Sequence, residues 1–238
     1  MTLHNRHRFG RAILPLLTAF VLFAALRCTA QERYTGKFDT FIGFSDINAP
    51  FVNNLNQPGV DVQGGMANHR WFASGFDYSL ETGKGPFTAS LLPVNLQKAL
   101  AAELPPGYNL RIPTDVTIQT FAAGSQLTFR HFAKKTVLIH PVLCAFRVNA
   151  TLHPGDPVAT AVLAQLVPSR KKLDWTGGYG IGGGTELHLS KHLSARMQSD
   201  LVWSHPMNDL LGKGGWIYRF SVGPSFHFGR NIETAKAR

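Results

Sequence analysis

The sequence predicts an all-β fold: an eight-stranded antiparallel up-and-down transmembrane β-barrel with short helices in its external loops. Three observations carry this. First, the segment Trp216–Phe228 alternates with a period of two. Trp216, Tyr218, Phe220, Val222, Phe226 and Phe228 share one face; Arg219, Ser221, Gly223, Ser225 and His227 share the other. Successive strand residues point to opposite faces, so this strand is aromatic outside and small or polar inside, as a barrel in lipid requires. Second, the connections between candidate strands alternate long and short along the chain, the pattern of long external loops and short periplasmic turns. Third, the N-terminus has the order of an export signal. Arg6, Arg8 and Arg11 precede an apolar run from Ala12 to Leu26, and Cys28-Thr29-Ala30 offers a small-residue cut before Gln31.

The strands follow in order. Lys37 to Ser45 sets Phe38, Thr40, Ile42 and Phe44 against Asp39, Phe41, Gly43 and Ser45. A loop rich in Asn and Pro spans Asp46 to Pro58, and Gly59 to Ala67 is a weak strand with two adjacent glycines. Asn68-His69 turns the chain into Arg70–Ser79, where Asp77 falls on the inward side. Leu80 to Pro113 is a long interruption. Thr117 to His131 is the fourth strand, with Phe121, Leu127 and Phe129 opposite Thr120, Gln126 and Arg130. Thr136 to Val148 is apolar on both faces and contains Pro141, which leaves its register open. A second interruption covers Asn149 to Asp174. Trp175–Ser190 and the strand from Leu193 to Trp203 join through Lys191-His192, and Ser204 to Gly214 leads into the last strand.

Each long interruption contains a helix signal. Asp156-Pro157 is an N-cap followed by proline at the first helical position, and Val158, Ala159, Val162, Leu163 and Leu166 form a stripe before Pro168. Leu96, Leu100 and Leu104 recur every four residues before Pro105-Pro106. Both helices belong to the same rim, where their apolar stripes can hide against each other.

Composition narrows the function classes. The chain of 238 residues has a formal net charge of +10. Removing residues 1–30 lowers it by four, because Arg6, Arg8, Arg11 and Arg27 leave without an acid. Only Cys144 then remains, so the mature chain forms no internal disulfide. The basic balance suits anionic lipid such as lipopolysaccharide. No basic stripe interleaved with aromatics points to nucleic acid. Residues 31–238 suit one barrel domain with a polar tail at 230–238. No later stretch is apolar enough for a membrane helix, and a closed barrel is the other structure that satisfies its backbone in lipid.

With these residues in view, the chain resembles the small outer-membrane β-barrel proteins, the family of the outer-membrane-protein-A transmembrane domain, and within them the barrels of acidobacteria. The likeness is carried by Phe38–Ser45, by Gly182–Arg196 and by the closing Phe220–Gly229. It implies insertion by the barrel assembly machinery into the outer membrane. The polar tail after Phe228 departs from relatives that end on an aromatic residue.

An eight-stranded barrel has a bore that side chains fill. Alternation sends Asp77, Arg130, Glu186, Arg196, Gln198, Asp200 and Arg219 into it, with Asp39, Gln126, His188 and His227. Interior charges must be paired, so these residues predict a polar network that plugs the barrel; a gated polar path is the alternative. His188 and Ser190 have the spacing of outer-membrane lipid A deacylases, yet Val202 stands where their orienting acid would be. An omptin-like protease would need paired rim acids that are missing. No catalytic residue, cofactor or metal site is expected, and the histidines lack metal-ligand spacing. The reading is a monomeric, non-enzymatic protein with a structural or surface-interacting role. A narrow passive channel is the main rival, and a lipid-modifying enzyme comes after it.

Overall fold

The computed structural model describes residues 34–132 and 134–232. The expected export signal and the end of the polar tail lie outside them. Eight strands form a closed barrel in chain order: β1 (Gly36–Ala49), β2 (Leu55–His69), β3 (Phe72–Thr88), β4 (Arg111–Phe129), β5 (Lys135–Leu152), β6 (Lys171–His188), β7 (Leu193–Ser204) and β8 (Gly215–Asn231). Each pairs antiparallel with the next, and β8 closes on β1 through pairs such as Phe38 with Phe228. Closure removes the two sheet edges that a membrane would not tolerate. The short connections after His69, Phe129 and His188 mark one end; the longer segments 50–54, 89–110, 153–170 and 205–214 mark the other.

The outer face is apolar. Phe76, Leu143 and Ile181 are each about three-fifths exposed (62%, 66% and 59%), a state that isolated soluble barrels avoid over so large an area. Aromatic rings gather at two levels. Toward the long-loop end, Tyr78, Phe121 and Trp175 run ring to ring at 5.1 and 5.7 Å, and Tyr179 meets Trp203 at 5.7 Å. Toward the short-turn end, Phe38 stacks on Phe228 at 5.7 Å and Trp71 lies beside Phe72. Two girdles around an apolar band are the outer-membrane arrangement.

Most strands run further toward the long-loop end than alternation in the sequence suggested. β1 and β2 continue to Ala49 and from Leu55, leaving a turn at 50–54 where Asn53 and Asn54 take positive φ. β3 reaches Thr88, β4 starts at Arg111 and β6 at Lys171. These extensions hold prolines and polar residues on their outer side, which reads as loop. Their inner side, however, carries Ile47, Leu55, Phe87, Ile112, Ala150 and Leu152, all buried. The register of β5 is settled by Leu127 opposite Ile139 and Ala122 opposite Cys144. Between those pairs the β4–β5 ladder lapses around Pro141, which has no N–H to give.

Two helices complete the long-loop end: α1 (Val94–Glu103), after a 3-10 turn at Ala89–Leu91, and α2 (Pro157–Leu166). Asp156 caps α2, its Oδ1 accepting from Ala159 N at 2.8 Å, with Pro157 behind it. The Ala159 amide and then the Tyr108 hydroxyl hold the Asp156 carboxyl below the usual carboxylate range. The Tyr108 hydroxyl donates to Asp156 Oδ2 at 2.7 Å and so ties the two long segments together. Leu100 of α1 and Ala159, Val162 and Leu163 of α2 join one apolar cluster with the strand ends and Met207, Leu210 and Leu211. The stripes therefore seal the barrel mouth with the strand ends. Burial of a side chain such as Leu163, 1% exposed, contributes roughly 1.5–3 kcal/mol.

Candidate functional site

The interior divides into a polar half toward the short turns and an apolar half toward the helices. Two arginines organise the polar half. Arg196 of β7 donates through Nε to Glu186 on β6 at 2.7 Å, through Nη1 to Gln63 Oε1 on β2 at 3.0 Å and through Nη2 to Asp39 on β1 at 2.7 Å. Its guanidinium also lies 5.6 Å from the Phe41 ring centre. Arg219 of β8 donates through Nε to Asp200 on β7 at 3.0 Å and through Nη1 to Asp77 and Ser79 on β3 at 2.9 and 3.3 Å. Each fork therefore spans the bore and joins strands that are not neighbours. Both arginines, Glu186 and Asp200 are at most 4% exposed. At that depth an ion pair persists because every charge has a partner and directed hydrogen bonds.

Glycines in the wall make room for the pairs. A Cβ on Gly182 would stand 2.0 Å from Asp200 Oδ1 and 2.3 Å from His140 Nε2, the two atoms that meet at 3.0 Å. A Cβ on Gly65 would stand 2.3 Å from Asp39 Oδ1. A cavity of about 70 Å³ lies between this network and the lapse in the β4–β5 ladder, bounded by Gln63, Asp77, Gln126, His140 and Pro141 among others.

Of the residues read as lumenal, Asp77, Glu186, Arg196, Asp200 and Arg219 come together in this network. Gln198 is buried beside them, its amide nitrogen 3.3 Å from Asp200 Oδ2. Arg130 lies at the end of the inward row, next to the buried Thr128. β4 ends at Phe129, so Arg130 stands in the short-turn rim and donates to Thr128 Oγ1 and the Arg70 carbonyl. On the outside of β8, Trp216, Tyr218, Phe226 and Phe228 are exposed, and Phe220 is half-buried beside Asp46 and Ser199.

His188 and Ser190 do not form a pair. His188 points inward, with Nε2 2.9 Å from Thr136 Oγ1 and Nδ1 2.8 Å from Ser194 Oγ, while Ser190 sits in the turn and accepts from Leu193 N. Ser194 also meets His227 Nε2 at 3.0 Å. Sequence reading passed over Asp61, Gln63, Ser79, Glu81 and His140 as site residues. The period-two pattern of Asp61 and Gln63 against Val60 and Val62 was the available signal, masked by the glycines of β2.

Beyond the polar half, Ile118, Phe146, Val148, Val202 and Ile217 fill the bore beneath the helices, around an apolar cavity of about 80 Å³. The expectation of a polar interior holds for one half; the other half is an apolar core. Among the described residues no helix is long and apolar enough to cross a membrane, and no cluster of three or more His, Cys, Asp or Glu could hold a metal.

No protein-family model matches the sequence, and no curated protein matches it. Solved structures do. Neisserial surface protein A superposes with a TM-score of 0.52 at 10% identity, covering 82% of this chain and 100% of that chain. Ail of Yersinia pestis, in complex with the heparin analogue sucrose octasulfate, gives 0.49 at 10% identity over 82% of this chain and 99% of its own. OprG from Pseudomonas aeruginosa gives 0.48 at 8% identity, covering 85% and 100%. The match to the neisserial protein shows the fold, that of the small eight-stranded outer-membrane barrels.

Proposed function

We propose that this chain is an exported, monomeric, non-enzymatic outer-membrane barrel, sealed by its own side chains, with a structural or surface-interacting role played by its long-loop end. The observation that carries this is the filled bore. Cross-barrel arginine pairs occupy one half, and an apolar core roofed by α1 and α2 occupies the other. A barrel of this size has room for side chains and little else. Residues 1–30 act as the export signal, the barrel assembly machinery inserts the chain, and lipid and lipopolysaccharide surround the apolar band. The interior histidines serve the plug: Ser194, between His188 and His227, is fully buried and offers a substrate no access.

Conductance in planar bilayers tests the reading. The purified protein should show no steady single-channel openings. Regular openings would replace the plug with the narrow-channel alternative.

A further inference from the structure

We propose that the barrel interior binds one divalent cation, best fitted by Ca²⁺, between Asp61 of β2 and Glu81 of β3. The inference begins with which acids have a cationic side chain beside them. Among the described residues six carboxylates face the bore, and each of the two arginine forks contacts two of them, Asp39 and Glu186 at Arg196 and Asp77 and Asp200 at Arg219. His140 and His227 stand near Asp200 and Glu186, which are already paired. Asp61 and Glu81 are left, with no Lys, Arg or His nitrogen within 4.0 Å among the described residues, and both are 0% exposed. Two buried carboxylates without a cation are strongly disfavoured.

The free donor atoms point to the ligand. Asp61 Oδ1 and Glu81 Oε2 have no hydrogen-bond partner. Independently of the acids, Gln57 is 0% exposed with both amide atoms unpartnered. It projects from the same inward face of β2 and packs on Gly83, two residues from Glu81. Ser221 Oγ lies beside Asp61, whose Oδ2 accepts from Gln63 Nε2 at 3.0 Å, and Ser45 Oγ donates to Glu81 Oε1 at 2.8 Å. This donor set is all hard oxygen, without thiolate or imidazole, and its two negative charges match a dication. Ca²⁺ accepts six to eight oxygens in flexible geometry, whereas Mg²⁺ holds to an octahedron and keeps its waters. A dry site among strand side chains favours Ca²⁺.

The test uses the full chain refolded into phosphatidylcholine nanodiscs, which contain no anionic lipid to bind the probe. Equilibrium dialysis against ⁴⁵Ca²⁺ is paired with infrared detection of protonated carboxyl groups. The wild type should bind one Ca²⁺ per barrel, and chelation should lower its unfolding midpoint. Glu81→Gln and Asp61→Asn should abolish binding, while heat-modifiable gel mobility reports whether each barrel has folded. Gln57→Met should weaken binding by at least about tenfold and covers the case in which the acid variants fail to fold. A wild type without Ca²⁺ that shows a protonated carboxyl band lost in Glu81→Gln would replace the cation with a proton. No binding and no such band would mean hydrated, ionised acids. Binding that survives all three substitutions would place the ion elsewhere. Each of these three results overturns the proposal.

Discussion

Arg196 and Arg219 link strands that the barrel ladder leaves apart, so their loss is felt across the bore. Arg196→Met leaves the buried Glu186 and the partly exposed Asp39 without their guanidinium, and breaking a buried pair costs about 3–5 kcal/mol. Adding Glu186→Gln removes one stranded charge and should recover part of the loss. Urea unfolding of the four proteins of this cycle in one detergent gives the coupling. Strict additivity would show that solvent, not the partner, carries these charges. Gly182 makes a second prediction at this scale. Gly182→Ala drives its methyl into the His140–Asp200 contact and should lower the unfolding midpoint clearly. Gly177→Ala, where nothing lies within 4 Å of the new Cβ, should be nearly neutral. The pairing of Glu186 with Arg196 was legible because alternation put both inward on adjacent strands. The contacts of Arg219 with Asp77 and of Arg196 with Asp39 were not, because they cross the bore and no sequence spacing encodes that reach.

β8 shows what an element can and cannot reveal by itself. Its two faces were plain in the sequence, yet the depth of each residue comes only from its neighbours. Phe220 stands beside Asp46 and Ser199, at the outer margin of the apolar band; Val222 lies further in, beside Phe44 and Met197. Val222→Arg should therefore cost about 2–4 kcal/mol if it reaches the midplane, and Phe220→Arg less. Reversible unfolding into vesicles measures both, and the opposite order would contradict this depth assignment. Ser221 is 1% exposed in the filled bore, so Ser221→Arg has no space and should assemble poorly. At the same scale α2 was legible to the residue, since Asp156, Pro157 and the apolar stripe are all local signals. The long-loop ends of β1 to β4 and β6 were hidden, because apolar inward residues there alternate with Pro, Asn and Lys instead of aromatics.

For the whole molecule, an outer-membrane barrel should fractionate with the outer membrane, start at Gln31 and migrate faster in SDS before boiling than after. Recovery from the soluble periplasm with unchanged mobility would refute that placement. The sequence by itself determined the barrel: a period-two pattern with its large aromatics on one face, repeated between alternately long and short connections, has few other folds that satisfy both lipid and backbone. On strands with clear alternation, such as β7 and β8, it also marked which residues face inward, whereas the glycine-rich β2 and the apolar β5 left that open. The tertiary structure alone decided how the interior is shared. Closing the ring brings Arg219 to Asp77 and Arg196 to Asp39, leaves Asp61 and Glu81 without a cationic partner, and gathers the strand ends and helices into a second, apolar core. Those outcomes depend on distances across the bore, which strand number, tilt and register set together, and which no local stretch of sequence contains.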